Sequence, residues 1–246
     1  MSVLAVFDPA VGLAHAVVSG LSQALPAALA IVLFTVGVRL FLHPLARAAV
    51  HGEKSRSRLA PQVAELNRRH RGKPEKLQAA LAELYRKEKS SPFAGCLPTI
   101  VQMPVFSVMY RLFTLPVLDG KPNDLLHQTL FGVPLGLHVG SARGPAQVAV
   151  FLALYAALAA VGLVMFRRAR RAAATAAVGL TVDQGDPSAR TARIAPYLSF
   201  GTALFAMIMP LAAGLYLLTT TAWTAAERWL LHRDPAQAST GLTTAA

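Results

Sequence analysis

The chain has 246 residues, of which 54% are hydrophobic and 15% are charged, and its mean hydropathy is +0.46. Soluble domains average about 25% charged residues, so this composition excludes an ordinary soluble globular protein. The 24 Lys and Arg outnumber the 12 Asp and Glu, which gives a net charge of +12 and suits either nucleic acid or an anionic membrane surface. Cys96 is the single cysteine, which excludes an internal disulfide and any cysteine-based zinc or iron–sulfur site.

The positive charges are clustered along the chain, and their positions distinguish the two partners. Residues 47–89 contain twelve and residues 167–193 contain six, whereas residues 116–145 contain two and residues 1–38 contain none. Cytoplasmic loops of membrane proteins retain Lys and Arg, and translocated loops do not. Surfaces that bind single-stranded nucleic acid interleave aromatic residues with the basic ones, and the basic region contains only Tyr85. The clustering predicts an integral membrane protein with no DNA partner.

Five stretches of the chain approach the length of about 20 apolar residues that a helix needs to span a bilayer. They are residues 25–46, 95–115, 146–166, 195–211 and 213–231. Pro210 and Gly214 separate the last two and indicate a tight hairpin near one membrane surface. The sequence therefore predicts an all-α, polytopic membrane protein with five transmembrane helices.

The positive-inside asymmetry predicts the orientation of these helices. The amino terminus lies outside, with residues 1–24 along the outer interface and residues 116–145 in an external loop. The carboxyl terminus lies in the cytoplasm. The predicted cytoplasmic segments are residues 47–94, the loop 167–194 and a short tail at 232–246.

Residues 47–94 form the largest predicted soluble segment. Apolar residues recur at helical spacing on both sides of the sequence RGKP at 71–74, which predicts a basic hairpin of two helices of about 14 and 17 residues. These cations form either a solvated face that sets topology or a docking surface for acidic lipid headgroups or ribosomal RNA, whose phosphates bind flexible arrays of cations. The cations on its faces are Arg56, Arg58, Arg68, Arg69, Lys76, Arg86, Lys87 and Lys89.

Arg39 stands within the first apolar stretch, LAIVLFTVGVRLFLHPL. A guanidinium facing lipid there costs from about 3 to more than 10 kcal/mol. Thr35, Arg39 and His43 follow one another at a spacing of four residues, so one helical face carries all three polar groups. Arg39 either extends toward the inner membrane surface or provides a fixed positive charge in a hydrated cavity open to the cytoplasm.

Two other predicted spans provide polar residues for the walls of such a cavity. Each set follows helical spacing along one face, although Thr and Gln in membranes more commonly form hydrogen bonds between helices. The second span contributes Thr99, Gln102, Phe106 and Tyr110. The last span contributes Tyr216, Thr220, Trp223 and Glu227.

The spans lack the groups that covalent or ion-coupled chemistry requires. Cation-coupled transporters use intramembrane carboxylates, and here Glu227 lies only at the cytoplasmic end of the last span. The sequence contains no HExxH motif, no paired intramembrane Asp and no phosphate-binding loop, and His43 with Ser107 is only a nominal catalytic pair. We therefore expect no enzyme activity, no metal and no cofactor.

One long stretch of the chain resembles a known family. The residues RSRLAPQVAELNRRHRGKPEKLQAALAELYRKEKSSPFAGCLPTIVQMPVFSVMY at 56–110 resemble the signature of the YidC/Oxa/Alb family of membrane protein insertases, in which a basic hairpin runs directly into a GCLP and QMP motif. The resemblance extends over about 28–231, with a span containing one Arg and a Pro soon after it before the signature, and a closing pair of helices after it. Ser90-Ser91-Pro92 departs from the usual Asn-Pro, and Leu217 replaces an aromatic residue.

This resemblance implies a membrane protein insertase and chaperone of the bacterial plasma membrane, in a short form without a large periplasmic domain. It implies five core spans around a hydrophilic groove that is closed to the outside and open to the cytoplasm and to lipid. Arg39 matches the groove arginine and Thr35 a second groove position. The implied partners are nascent membrane proteins, a Sec-type translocon, the ribosome and anionic lipids. The predicted groove residues are Arg39, Thr35, Gln102, Tyr110, Tyr216, Thr220 and Trp223; those predicted to contact clients, ribosomes or lipid are Arg56, Arg58, Arg68, Arg69, Arg86, Lys87 and Lys89.

Two other functions remain open from the residues alone. A solute or ion channel would use the same polar cavity, and a structural assembly factor would use the basic hairpin to dock a partner.

The carboxyl tail HRDPAQASTGLTTAA is short and nearly neutral, and it does not resemble the long basic tails by which members of the family bind ribosomes.

Overall fold

The computed structural model describes residues 8–70, 72–88, 97–118, 120–178, 197 and 200–233. These residues are mostly helical, as the sequence predicts. The helices are α1 (Asp8–Ala24), α2 (Ala27–Phe41), α3 (His43–Arg69), α4 (Pro74–Lys87), α5 (Leu97–Thr114), α6 (Pro145–Val178), α7 (Gly201–Ala206) and α8 (Leu211–Arg233). Between α5 and α6, strands β1 (Val117–Leu118) and β2 (Lys121–Pro122) form one antiparallel pair, and β3 (Thr129–Leu130) and β4 (Val133–Pro134) form a second.

The chain bends sharply between α2 and α3. The two helices meet at Leu42 at an angle of 56°, within the predicted first span 25–46. Pro44 occupies the first turn of α3, where its missing N–H costs nothing, whereas a continuous helix would need an N–H at that position. The polar row of Thr35, Arg39 and His43 therefore crosses a helix break, and His43 becomes the first residue of α3.

Helix α8 lies at the centre of the bundle and packs against α2, α5, α6 and α7. Gly214 allows α8 to approach α6 closely, because a Cβ atom at this position would lie 2.6 Å from Leu154 Cδ2. Small residues have this role wherever membrane helices pack tightly. Helix α1 packs against α2 and α5, and an ion pair of 2.5 Å between Asp8 Oδ1 and Arg111 Nη1 joins α1 to α5.

The buried apolar core lies at one end of this bundle. We call this the loop end, because α2, α6 and α8 begin there, α5 ends there, and the segment 115–144 lies against it. At the other end, which we call the hairpin end, α2 has no fully buried residue between Val36 and Phe41. The core side chains of the four helices are Ala27, Ala28, Ala30, Ile31, Val108, Met109, Leu112, Phe113, Phe151, Leu154, Leu158, Leu211, Ala212, Ala213, Tyr216 and Leu217.

The segment between α5 and α6 is packed into the loop end. Leu125, Val133 and Leu135 are buried in the core. The backbone N–H groups of Leu211 and Ala212 donate to the carbonyls of Leu137 and Leu135, at 2.9 and 2.8 Å. These two donors belong to the first turn of α8 and have no partner within the helix itself, so the segment caps α8 and closes the loop end.

Asn123 fixes this segment to the end of α5. Its side chain is fully buried, and Nδ2 donates to the carbonyl oxygens of Leu112 at 2.8 Å and Leu115 at 3.0 Å. These are among the carbonyls that a helix leaves unpaired at its carboxyl end. An amide is the side chain that supplies two N–H donors at one nitrogen.

Asn123→Ala is therefore expected to lower the stability of the protein by about 1 to 3 kcal/mol, because it leaves buried carbonyls without donors. The measurement is the midpoint of thermal unfolding of the purified protein in detergent. His127→Ala, at an exposed position of the same segment, serves as the control and should leave the midpoint unchanged. Equal midpoints for Asn123→Ala and the wild type would show that the cap contributes nothing.

The hairpin is formed by α3 and α4, on either side of the RGKP sequence. Because α3 begins at His43, its 27 residues exceed the predicted length, and the 14 residues of α4 are fewer than predicted. Arg58 Nη2 and Glu88 Oε2 lie 2.8 Å apart and join the two helices. At its base, α3 buries Val50 and Leu59.

Apolar length identifies only some of the predicted spans. Among the described residues, the segment Pro145–Arg171 of α6 is long and apolar enough to cross a membrane, and the bent pair Ala27–Phe41 and His43–Gly52 qualifies together. Val105–Thr114 is apolar but shorter. Residues 197 and 200–211 of the predicted fourth span, 195–211, are described, and the α-helix among them before Leu211 is only the six residues Gly201–Ala206. The number of spans therefore stays a prediction.

Candidate functional site

The polar residues of α2 and α3 meet those of α8 along one line, which we call the polar seam. It consists of three contacts: Arg39 with Thr220, His43 with Glu227, and Lys54 with the carbonyl of Leu231. Thr220, Glu227 and Leu231 are spaced by seven and four residues, so they lie on one face of α8. The seam begins where the apolar core ends and continues to the hairpin end.

Arg39 contacts α8 through its guanidinium. Nε donates to Thr220 Oγ1 at 2.8 Å, and Nη2 donates to the same oxygen. These contacts use two of the five N–H donors of an arginine. The hydroxyl is neutral, so it orients the cation without cancelling its charge.

His43 and Glu227 form the second contact of the seam. His43 Nδ1 lies 2.5 Å from Glu227 Oε1, which is within hydrogen-bond distance for a ring nitrogen and a carboxylate. The Glu227 side chain is only 8% exposed, whereas that of His43 is 37% exposed. Glu227 also interacts electrostatically with Arg39. The seam thus contains a buried acid two helical turns beyond Thr220, the partner of its central cation.

Lys54 forms the third contact. Its Nζ donates to the Leu231 carbonyl at 3.2 Å, close to the carboxyl end of α8, where carbonyls are unpaired and a cation is favourable. This contact fastens the base of the hairpin to α8. On the opposite side of α8, Arg168 Nη1 donates to the Ala225 carbonyl at 3.3 Å.

The predicted groove residues divide between the seam and other locations. Thr35 is buried, and its hydroxyl donates to the Ile31 carbonyl of its own helix at 2.7 Å. Tyr216 is buried against Phe113, with ring centroids 5.9 Å apart. Thr35 and Tyr216 therefore lie at the end of the seam that faces the loop end, where the apolar core begins.

Trp223, Tyr110 and Gln102 have different surroundings. Trp223 lies on the seam face of α8, and its buried Nε1 has no hydrogen-bond partner among the described residues. Tyr110 is 39% exposed and stacks on Phe106 at 6.0 Å, so the structure does not place it at the seam. The side chain of Gln102 lies outside the description.

Most of the predicted contact residues of the hairpin form ion pairs within the hairpin itself. Arg58 pairs with Glu88, Arg68 with Glu65, and Arg86 and Lys87 with Glu83. Exposed pairs of this kind contribute about 0 to 1 kcal/mol, so the cations can exchange their partners for phosphates at little cost. Arg69 is exposed, while the Arg56 side chain and the whole of Lys89 lie outside the description.

Sequence reasoning missed the contact between His43 and Glu227. Both residues lie on the predicted polar faces, but the spacing within each helix does not pair one with the other. The sequence feature that indicates this contact is the order of the polar groups, which is the same on both sides: Arg39 is followed by His43, and Thr220 is followed by Glu227. Among the described residues, no cluster of three His, Cys, Asp or Glu side chains is arranged to hold a metal.

Comparison with known proteins identifies the family of the chain. Residues 20–238 match the family described as 60Kd inner membrane protein. The chain is similar to proteins named membrane protein insertase YidC from three bacteria. The Helicobacter pylori protein is 42% identical over 83 residues, which are 34% of this chain and 15% of that protein. The Caulobacter vibrioides protein is 36% identical over 104 residues, 42% of this chain and 16% of that protein.

The Pelagibacter ubique protein is 34% identical over 120 residues, 49% of this chain and 20% of that protein. The matched part of the chain thus spans a fifth or less of the length of these relatives. The family match extends over most of the chain, as does the resemblance over about 28–231. The chain therefore belongs to the 60Kd inner membrane protein family, the family of YidC and Oxa1.

Proposed function

We propose that this protein is an insertase and chaperone for integral membrane proteins of the bacterial inner membrane, acting through a groove along the polar seam. The observation that carries the proposal is the division of the bundle into two halves. The loop end is closed by an apolar core and by the capping segment 115–144, whereas the hairpin half of the α2–α8 interface contains Arg39 and its polar partners. In the part of the chain that the structure describes, such a bundle admits water from the hairpin end.

A half-channel of this kind lowers the barrier to insertion. A client must move a short hydrophilic segment across about 30 Å of hydrocarbon, and its polar groups lose hydration on the way at a cost of several kcal/mol each unless they find partners. Water in the groove shortens that path. Arg39 has N–H donors that its described contacts do not use, and these attract acidic residues of the segment. The client's apolar helix then enters the lipid at a gain of about 0.3 to 0.6 kcal/mol for each large apolar residue.

The proposal includes the predicted five spans, with the loop end outside and the hairpin in the cytoplasm. The basic hairpin receives nascent chains near the groove mouth and contacts anionic lipid headgroups or the ribosome, because its cations are exposed and only weakly paired. A Sec-type translocon is a further proposed partner. The reaction is a transfer between phases, and no bond is made or broken.

A channel is less consistent with this architecture. A conducting pore needs a hydrated path from one membrane surface to the other, and the loop end contains the core residues Leu112, Phe113, Leu135 and Leu211. Planar bilayers containing the purified protein should therefore show no steady conductance above that of bare lipid. A stable single-channel current would favour the channel instead.

The direct test of the function uses proteoliposomes that contain only this protein. A radiolabelled single-span client is synthesised in the presence of the vesicles, and protease protection measures the translocated segment. We expect protected client with the protein and background protection in empty vesicles. Equal protection in both would reject the proposal.

The proposed topology predicts which engineered cysteines react from each side. In a Cys96→Ser background, Ser57→Cys and Ser188→Cys are expected to react with an impermeant maleimide only after the cytoplasmic side is exposed, since they lie in the two positive regions. Ser141→Cys, exposed in the segment after α5, is expected to react from outside in intact cells. Labelling of Ser57→Cys in intact cells would overturn the orientation. Asn123, although in the same segment, is too deeply buried for this test.

A further inference from the structure

The polar seam contains a buried acidic side chain between its central cation and the hairpin end. Glu227 is 7% exposed, contacts His43 and interacts electrostatically with Arg39. It lies two turns beyond Thr220 on the same face of α8, a rise of about 10 Å along the helix. A client segment that approaches Arg39 from the hairpin end therefore passes Glu227 first.

The charges of Arg39, His43 and Glu227 determine the net charge of the groove. Arg39 is always protonated. For a client that is far from both groups, a Glu227 carboxylate offsets the positive charge of Arg39. His43 holds the carboxylate through Nδ1 at 2.5 Å, so its ring fixes the position of the negative charge. The Thr220 hydroxyl adds no charge. The field that a client experiences thus depends on the acid as well as on the arginine.

Resting on the proposed function, we propose that Glu227, positioned by His43, is a resident counter-charge that sets how strongly the groove discriminates between clients by the charge of their translocated segment. Its repulsion of acidic segments opposes the attraction by Arg39. Segments with few acidic residues pass with little discrimination, and strongly acidic segments are not trapped at the cation.

Two substitutions of Glu227 separate this role from a structural one. Glu227→Gln removes the charge but keeps the length of the side chain and an oxygen that accepts a hydrogen bond from His43. Glu227→Asp keeps the charge on the same face of α8 but is one methylene shorter, which lengthens and weakens the contact with His43. A charge role predicts a change in selectivity with Gln and little change with Asp. A purely structural role predicts a larger change with Asp than with Gln.

The experiment measures insertion of two clients that differ only in the translocated segment, one acidic and one neutral, into proteoliposomes with equal amounts of each variant. With Glu227→Gln, the ratio of acidic-client to neutral-client insertion is expected to rise about two- to fifteenfold. This range is the effect of removing one unit charge roughly 10 Å away when the dielectric constant lies between about 80 and about 20. With Glu227→Asp the ratio should stay near that of the wild type. Asp124→Asn, which removes an exposed charge of the segment between α5 and α6, is the matched control and should leave the ratio unchanged.

These outcomes can be distinguished from failure of the proposed function, because they compare insertion of the acidic client with insertion of the neutral client by the same variant. An unchanged ratio with Glu227→Gln, while both clients still insert, would overturn the counter-charge and leave the insertase intact. A ratio that changes with Asp but not with Gln would also overturn it. Absence of insertion of either client by the wild type would reject the proposed function itself.

Discussion

Arg39→Ala is expected to reduce insertion of a client with an acidic translocated segment by at least about fivefold, the effect of losing roughly 1 kcal/mol of attraction to a carboxylate about 4 Å away in a water-like groove. A client with a neutral segment should lose much less. Arg39→Lys should retain most of the activity toward both clients, because it keeps the charge. The measurement is protease protection of each client in membranes matched for the amount of each variant.

The structure adds a second interpretation that this experiment must separate. Arg39 joins α2 to α8 through two N–H groups that share the Thr220 hydroxyl, a geometry that an ammonium does not reproduce. If this link, rather than the charge, supports activity, Arg39→Lys should fail nearly as badly as Arg39→Ala. Thr220→Val, which removes the acceptor and leaves the cation, should then fail as well. Equal insertion of the acidic client by the wild type and Arg39→Ala would contradict both interpretations.

Deletion of the outer part of the hairpin is the second change for which we expect a large effect. Replacing residues 62–86 by a short Gly/Ser bridge keeps Leu59 and Lys54, which pack and bond at the base, and keeps Arg58 beside Glu88. That ion pair shows that the two cut ends lie close enough for a short bridge. The deletion removes six cations, and insertion should fall by more than about tenfold, since each cation near an anionic surface contributes about 1 kcal/mol.

A substitution that keeps the helices tests whether the charges cause this loss. Arg69, Lys73 and Lys76 are exposed, and changing all three to Gln leaves the length and helix propensity of the hairpin nearly intact. A partial loss that grows when the vesicles contain less anionic lipid would assign the effect to lipid headgroups. Full activity of both the deletion and the triple variant would limit the hairpin charges to a role in topology.

The fold follows from the sequence wherever apolar periodicity and helix-breaking residues act locally. The hairpin around RGKP, the helix of residues 145–178 and the closing helix after Pro210 all correspond to such signals. The break at Leu42 does not, because apolar residues continue through it and only Pro44, in the first turn of α3, marks the new helix. The packing of residues 115–144 also depends on contacts with helices distant in sequence, such as those of Leu135 and Leu137 with α8.

The candidate site was predictable in its residues but not in its contacts. One cation within an apolar stretch requires a polar environment, and helical spacing places Arg39 and Thr220 on polar faces. Spacing alone does not determine the register between two helices, so it pairs neither Arg39 with Thr220 nor His43 with Glu227. Spacing likewise does not predict the bond of Thr35, whose hydroxyl donates to the Ile31 carbonyl of its own helix; its place in the groove, implied by the resemblance, stays a prediction.

The central claim, that clients pass along the polar seam, is tested most directly by photocrosslinking from Trp223. Benzoylphenylalanine at this position replaces one large aromatic group by another on the seam face of α8, and the same probe at Val164, an exposed residue of α6, serves as the control. With an arrested client whose hydrophilic segment has begun to cross, we predict a strong adduct from position 223 and little from position 164. Adducts of equal yield, or an adduct from position 164 alone, would contradict passage along the seam.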